Sequence, residues 1–189
     1  MVLVSGAWVC CGQKAHAATA AEIQQWLQVH NQLRSLHGVP PVTWSATVAA
    51  SAQAWANTCP LPGNHSSWGY GENMHFGPDN LADIVDCVKY ENVMECIVKA
   101  GWYVDQEPLY DYNNPEAEYN LDSLHFTQVV WKSTTEIGCG YRTDCGGDWP
   151  YVSVCQYNPP GNVVGYFADN VFPEVINIIP EISPFLLNN

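Results

Sequence analysis

Three short segments carry the side chains that could do chemistry: His65-Ser66-Ser67-Trp68-Gly69-Tyr70-Gly71-Glu72-Asn73, His125-Phe126-Thr127-Gln128-Val129-Val130-Trp131 and Cys155-Gln156-Tyr157-Asn158-Pro159-Pro160-Gly161-Asn162. Neutral imidazoles and an ionised carboxylate are good ligands for a divalent ion, so His65, Glu72 and His125 could hold one if the fold brings them to a point. The same groups could equally form a hydrogen-bonded polar cluster without metal. Ser66 and Ser67 stand beside His65, but neighbours in sequence rarely present the base-to-hydroxyl geometry of a triad, so a serine nucleophile is not expected.

The elements that must position these groups are partly readable. From Ala20 to His37, Ile23, Trp26, Leu27, His30, Leu33 and Leu36 recur at helical spacing, and Gly38 with Pro40-Pro41 stops the helix. Ser45 is a suitable N-cap for a second helix through Val48, Ala52 and Ala56, ending near Cys59-Pro60. Leu61 to Pro78 is rich in Gly, His and aromatics and reads as a loop. A third helix is expected after Asp79-Asn80, running towards Trp102, and Asp105 to Ala117 reads as irregular. His125 to Trp131 is short and apolar, which leaves helix and strand open. Ile137–Tyr141 and Tyr151–Tyr157 read as strands around the Asp144-Cys145-Gly146-Gly147-Asp148 turn, with Val163–Phe167 as a third. Helices first and strands last imply α+β packing, with helices covering an antiparallel sheet.

Composition limits what such a domain can do. The chain of 189 residues suits one domain, and 47% hydrophobic with 12% aromatic residues is ample for a core. A net charge of −13 repels phosphate backbones and anionic headgroups, so nucleic acid and electrostatic membrane docking are not expected. No apolar run reaches the length of a membrane span, so no stable membrane insertion is expected either. Residues 1–17 combine an apolar run, Val2 to Cys11, with Ala15-His16-Ala17, a small-x-small pattern suited to signal peptidase, although no Lys or Arg precedes the run. The alternative is a buried first strand. Cleavage there leaves Cys59, Cys87, Cys96, Cys139, Cys145 and Cys155, an even set that points to disulfides in an oxidising, extracellular compartment. No CxxC pair occurs among them, which argues against a zinc finger. Asn64-His65-Ser66 matches the N-glycosylation pattern. Residues 173–189 are apolar but broken by Pro173, Pro180 and Pro184, and read as a strap-like C-terminal extension.

Taken in order, Gly71-Glu72-Asn73-Met74, the His125–Trp131 segment and the Cys155–Asn162 segment resemble the signature segments of the CAP superfamily. That group spans plant pathogenesis-related class 1 proteins, cysteine-rich secretory proteins, insect venom antigens and fungal sterol-export proteins. His30-Asn31, Arg34, Gly38-Val39-Pro40 and Trp44 resemble its opening helix and turn. The resemblance covers about residues 20–171. It implies a CAP domain over 18–172, built as a three-layer α-β-α sandwich with a central antiparallel sheet. It also implies a cleft lined by two His and two acidic residues.

Carried over residue by residue, the cleft set is His65, Glu72, His125 and a fourth group, with Zn²⁺ or Mg²⁺ as the ion it would hold. Counting forward from Trp102 gives Asp105, and counting back from Tyr110 gives Gln106. Asp105 is favoured because an extra residue is better tolerated after a helix than inside it, with Glu107 as the third candidate. By resemblance Cys59 pairs with Cys145 and Cys139 with Cys155. The segment Tyr90 to Gly101 looks like an insertion in the third helix, and Cys87–Cys96 is read as a bridge private to it. The resemblance brings no common catalytic activity. It implies a secreted monomer that takes a small lipid, a sterol or fatty acid, in a groove bordered by the first helix, with Trp26, Tyr70, Phe76 and Trp102 as candidate lining. A metal-assisted hydrolase with Glu72 as base is one alternative, and a defence or signalling module acting through a receptor is another.

Overall fold

The computed structural model describes residues 18–77, 89–116 and 121–175. The signal-peptide reading of 1–17, Cys87 and the extension beyond 175 lie outside the described residues.

Helix α1 (Ala20–Leu36) opens on a capping box in which Thr19 and Glu22 satisfy each other's backbone N–H groups. It closes on Gly38, at a φ of 64°, from which Gly38 and Val39 return N–H bonds to Ser35 and Arg34. Only a residue free to adopt the left-handed conformation closes a helix this way at low cost. The buried face is Trp26, Val29, His30, Leu33 and Arg34, so the apolar stripe of the sequence contains two polar members. His30 donates from Nδ1 to the Trp26 carbonyl (2.8 Å) and accepts at Nε2 from the Tyr157 hydroxyl (3.0 Å). Arg34 donates to the carbonyls of Pro40, Val129, Trp131 and Thr134 at 2.8–3.0 Å.

Strands β1 (Thr43–Trp44), β2 (Gly71–Gly77), β3 (Glu136–Arg142) and β4 (Tyr151–Asn158) form one sheet in the order β1-β3-β4-β2. The three longer strands are antiparallel, but β1 runs parallel to β3, where an all-antiparallel sheet was expected. The sheet is therefore mixed, because the long excursion between β1 and β3 lets the chain re-enter in the same direction. Side chains alternate across β4. Tyr151, Cys155 and Tyr157 join Trp26, Trp102 and Phe126 on one face, while Val152 and Val154 meet Met74 and helix α2 (Ala46–Ala56) on the other. Two cores on opposite faces of one sheet make the α-β-α sandwich.

Two further expectations need correction. Strand β2 lies inside the stretch read as a loop; its pairing with β4 supplies the order that its glycines and histidines do not advertise. Val163–Phe167 is not a strand. Glu116 accepts the Gly165 and Phe167 N–H groups (2.8 and 2.6 Å), which starts the short helix α5 (Phe167–Asn170) instead. The segment read as an insertion packs into the main core: α3 (Val93–Cys96) and a π-helical turn over Ile97–Gly101 bury Met94, Ile97 and Val98 against α1. The open segment at His125 is helix α4 (Leu124–Val129).

Cys59–Cys145 ties the end of α2 to the β3–β4 turn, and Cys139–Cys155 bridges directly opposed residues of β3 and β4, with Cα atoms 4.1 Å apart. Cys96 is disulfide-bonded as well, and its expected partner Cys87 lies outside the described residues.

Helix α2 sits directly on β3. A Cβ added at Gly138 would overlap the Val48 and Ala49 backbone, and one at Gly140 would lie 2.6 Å from the Gln53 Cα. Backbone cannot swing aside as a side chain can. Gly138→Ala is therefore expected to cost about 2–4 kcal/mol of unfolding free energy, measured by urea denaturation. A variant as stable as the parent would show that the helix rides higher than described.

Candidate functional site

The open edge of β2 carries the site. Glu72, the second residue of the strand, is nearly fully buried, with 3% of its side chain exposed, while 52% of the His65 side chain is exposed. The Glu72 carboxylate takes four donors: His65 Nδ1 (2.9 Å) and the Ser66 N–H (3.0 Å) at one oxygen, the Ser66 hydroxyl (2.6 Å) and Gln156 Nε2 (2.8 Å) at the other. Burial alone would push this carboxyl up. The donors from His65, Gln156 and Ser66 outweigh burial and hold it below the ordinary carboxylate range. Gln156 also donates to Ser66 Oγ (2.9 Å), so the hydroxyl is oriented from both sides. Ser66 thus points at the carboxylate and not at the imidazole, which is the wrong arrangement for a nucleophile.

His125 belongs to a second cluster. Its ring stacks on Trp102, with centroids 6.4 Å apart and planes at 15°, and its Nδ1 lies 2.8 Å from Gln106 Nε2. Gln106 Oε1 accepts the His125 and Phe126 N–H groups (3.1 and 3.3 Å), two donors at the start of α4 that no helical carbonyl can meet. Asn73, buried on β2, donates to the His125 carbonyl (3.0 Å) and to the Tyr157 hydroxyl (3.3 Å). Burial chiefly, then the nearby charges of His65 and His75, lower the His125 pKa to about 4. His65 and His125 are held by different partners.

Of the four expected cleft residues, the structure joins His65 to Glu72 and seats His125 on Gln106 and Trp102, but it leaves Asp105 out of both groups. Asp105 is exposed on the turn after Trp102, and the next residue, Gln106, reaches His125. Glu107 accepts from the Tyr112 hydroxyl (2.8 Å). Among the described residues no group of three or more His, Cys, Asp and Glu side chains is arranged to hold a metal ion. Glu72 has both oxygens occupied and Nδ1 of His125 faces an amide N–H, so the arrangement does not fit the divalent ion that the resemblance implies. His75, on the same face of β2 as Asn73, was not singled out in the sequence; its Nε2 is buried without a hydrogen-bond partner. Recognising the strand and its alternation would have revealed it.

Asn64 is exposed on the turn just before His65, where a glycan would be accessible to attachment. The aromatic lining expected for a groove is mostly core. Trp26 and Trp102 are 0% and 1% exposed and stack on each other, and Phe76 packs against Trp149.

His30 and His125 both have a pKa lowered to about 4, and burial is the main cause in each. Unfolding restores the ordinary value of 6.5, so between these limits the unfolded chain binds the extra protons. Stability is fully present above pH 6.5 and is lost as pH falls towards 4, by on the order of 3 kcal/mol for His30 alone. Urea midpoints measured from pH 7.5 to 4 should decline across this window, and a flat profile would contradict the neutral assignments.

Comparison with known proteins agrees with the fold and the motifs. Residues 27–157 match the model of the family described as CAP, the cysteine-rich secretory protein family. The chain is 40% identical over 147 residues to "Protein PRY2" of Saccharomyces cerevisiae, covering 76% of this chain and 39% of that protein. It is 33% identical over 154 residues to "Pathogenesis-related protein 1B" of Nicotiana tabacum, covering 80% of this chain and 83% of that protein. The solved structure of BmVAL-1 superposes with a TM-score of 0.59 at 26% identity, over 82% of this chain and 83% of that one. The chain spans only 39–53% of the length of the fungal proteins most similar to it. With matching segments, disulfides and sandwich in place, the chain belongs to the CAP family.

Proposed function

We propose that this CAP-family chain is a secreted binding protein that takes a small lipid, a sterol or a fatty acid, in an apolar groove. The observation carrying this reading is a cavity of about 390 Å³ where the N-terminal turn of α1, β1 and α2 meet. Ala18, Ile23, Trp44, Ala49, Ala50 and Ala54 line it. Its volume falls in the range of pockets that take small organic ligands (~300–1,000 Å³), which are likewise mostly apolar with few polar groups. Gln53 and Asn57 are the polar side chains in its lining. The place differs from the aromatic lining expected from the sequence, but the first helix borders it as expected. A paired set of disulfides and the family's secretory members support an extracellular setting. Among the described residues no helix is long and apolar enough to cross a membrane. The metal-assisted hydrolase alternative, with Glu72 as base, gains nothing from the geometry, since both oxygens of that carboxylate are taken by donors from His65, Ser66 and Gln156.

Saturable binding of radiolabelled cholesterol or palmitate by the purified protein is the expected result. Ala50 is exposed on α2, so Ala50→Trp should fill the groove and weaken binding about tenfold or more, with the melting temperature retained. Failure to bind either lipid removes the reading. Binding that Ala50→Trp leaves unchanged moves the ligand to another surface.

A further inference from the structure

The hydrogen bonds at His65 and His125 assign opposite tautomers to the two imidazoles. A carboxylate only accepts, so the contact with Glu72 Oε1 places the proton of a neutral His65 on Nδ1 and leaves Nε2 as a lone pair. The opposite holds at His125. The Gln106 amide cannot be turned round, because its oxygen is held by two backbone N–H donors, from His125 and Phe126. Its NH₂ group therefore faces His125 Nδ1, which must accept, and the ring proton sits on Nε2.

We propose that Gln106 locks His125 as its Nε2–H tautomer, so that the cleft offers a hydrogen-bond donor to an acceptor oxygen and withholds the lone pair a divalent cation would need. At His125 the metal-type cleft implied by the family resemblance becomes, in this chain, a hydrogen-bond-donating one through a single amide. The ring has no other nitrogen with which to ligate, since Nδ1 is filled by the Gln106 N–H. Glutamate at 106 would be isosteric. One oxygen would still accept the two α4 N–H groups, while the other would accept from Nδ1–H and free Nε2. Position 106 thus sets what the cleft recognises, and the inference stands apart from the lipid groove.

The test uses the full chain with ¹⁵N-labelled histidine. Long-range ¹H–¹⁵N correlation spectra at pH 7.5 should show His125 protonated at Nε2 in the parent and at Nδ1 in Gln106→Glu, with His65 protonated at Nδ1 in both. Titration of Zn²⁺ alone by calorimetry should show binding at least ten times tighter in Gln106→Glu than in the parent. His125→Ala should abolish that gain when added to Gln106→Glu, and should leave zinc binding by the parent unchanged. A His125 proton on Nδ1 in the parent overturns the proposal without recourse to any variant. Parent zinc binding that disappears in His125→Ala overturns it equally.

Discussion

Arg34 brings a guanidinium into the interior, and its N–H groups are met by four main-chain carbonyls. Desolvation lowers its pKa to about 10, which still leaves the group charged at neutral pH. A charge in such surroundings is tolerated only when its donors are met with good geometry, and the planar fork of arginine is suited to meeting several acceptors at once. The acceptors come from the turn after α1, the end of α4 and the approach to β3. The position of His125 on α4 is thereby fixed relative to α1 and the sheet. Hydrophobic packing alone would hold these elements together without specifying their register.

A neutral chain of hydrogen bonds complements the charged one. It runs from His30 on α1 through the Tyr157 hydroxyl on β4 to Asn73 on β2, and from there to the His125 carbonyl on α4. Every member is buried or nearly so, and each donor in the chain finds an acceptor. Such a network is costly if half made and rigid when complete. The chain enters the cleft from behind, on the side away from solvent, so the exposed His65 is the one imidazole of the pair with freedom to adjust.

How much of this was legible depended on what each residue advertises. The stripe on α1, the start of α2 after Ser45, the stop at Gly38, and the apolar strands β3 and β4 follow from local signals, and the structure has them, although the Ser45 side chain makes no capping bond. The short strand β1 and the glycine-bordered β2 have no periodic signal, because their order comes from partners far away in sequence. At the site, the motif segments pointed to the right places but blurred the roles. Much of the His125–Trp131 segment is structural: Thr127 donates to Asn162 (2.6 Å), and Gln128 accepts from the Gly161 N–H (2.8 Å). Counting forward from Trp102 stopped one residue short of Gln106 while counting back from Tyr110 reached it, because the chain between them passes through an irregular bend whose length the sequence does not declare.

The bare backbone of β3 beneath α2 has a consequence for the hollow beside it. Without Cβ atoms at 138 and 140, the backbone of α2 comes to rest on the strand itself, and the same helix lends Ala49, Ala50 and Ala54 to the lining of the hollow. Any change that raises the helix would reshape the hollow as surely as a substitution within its walls.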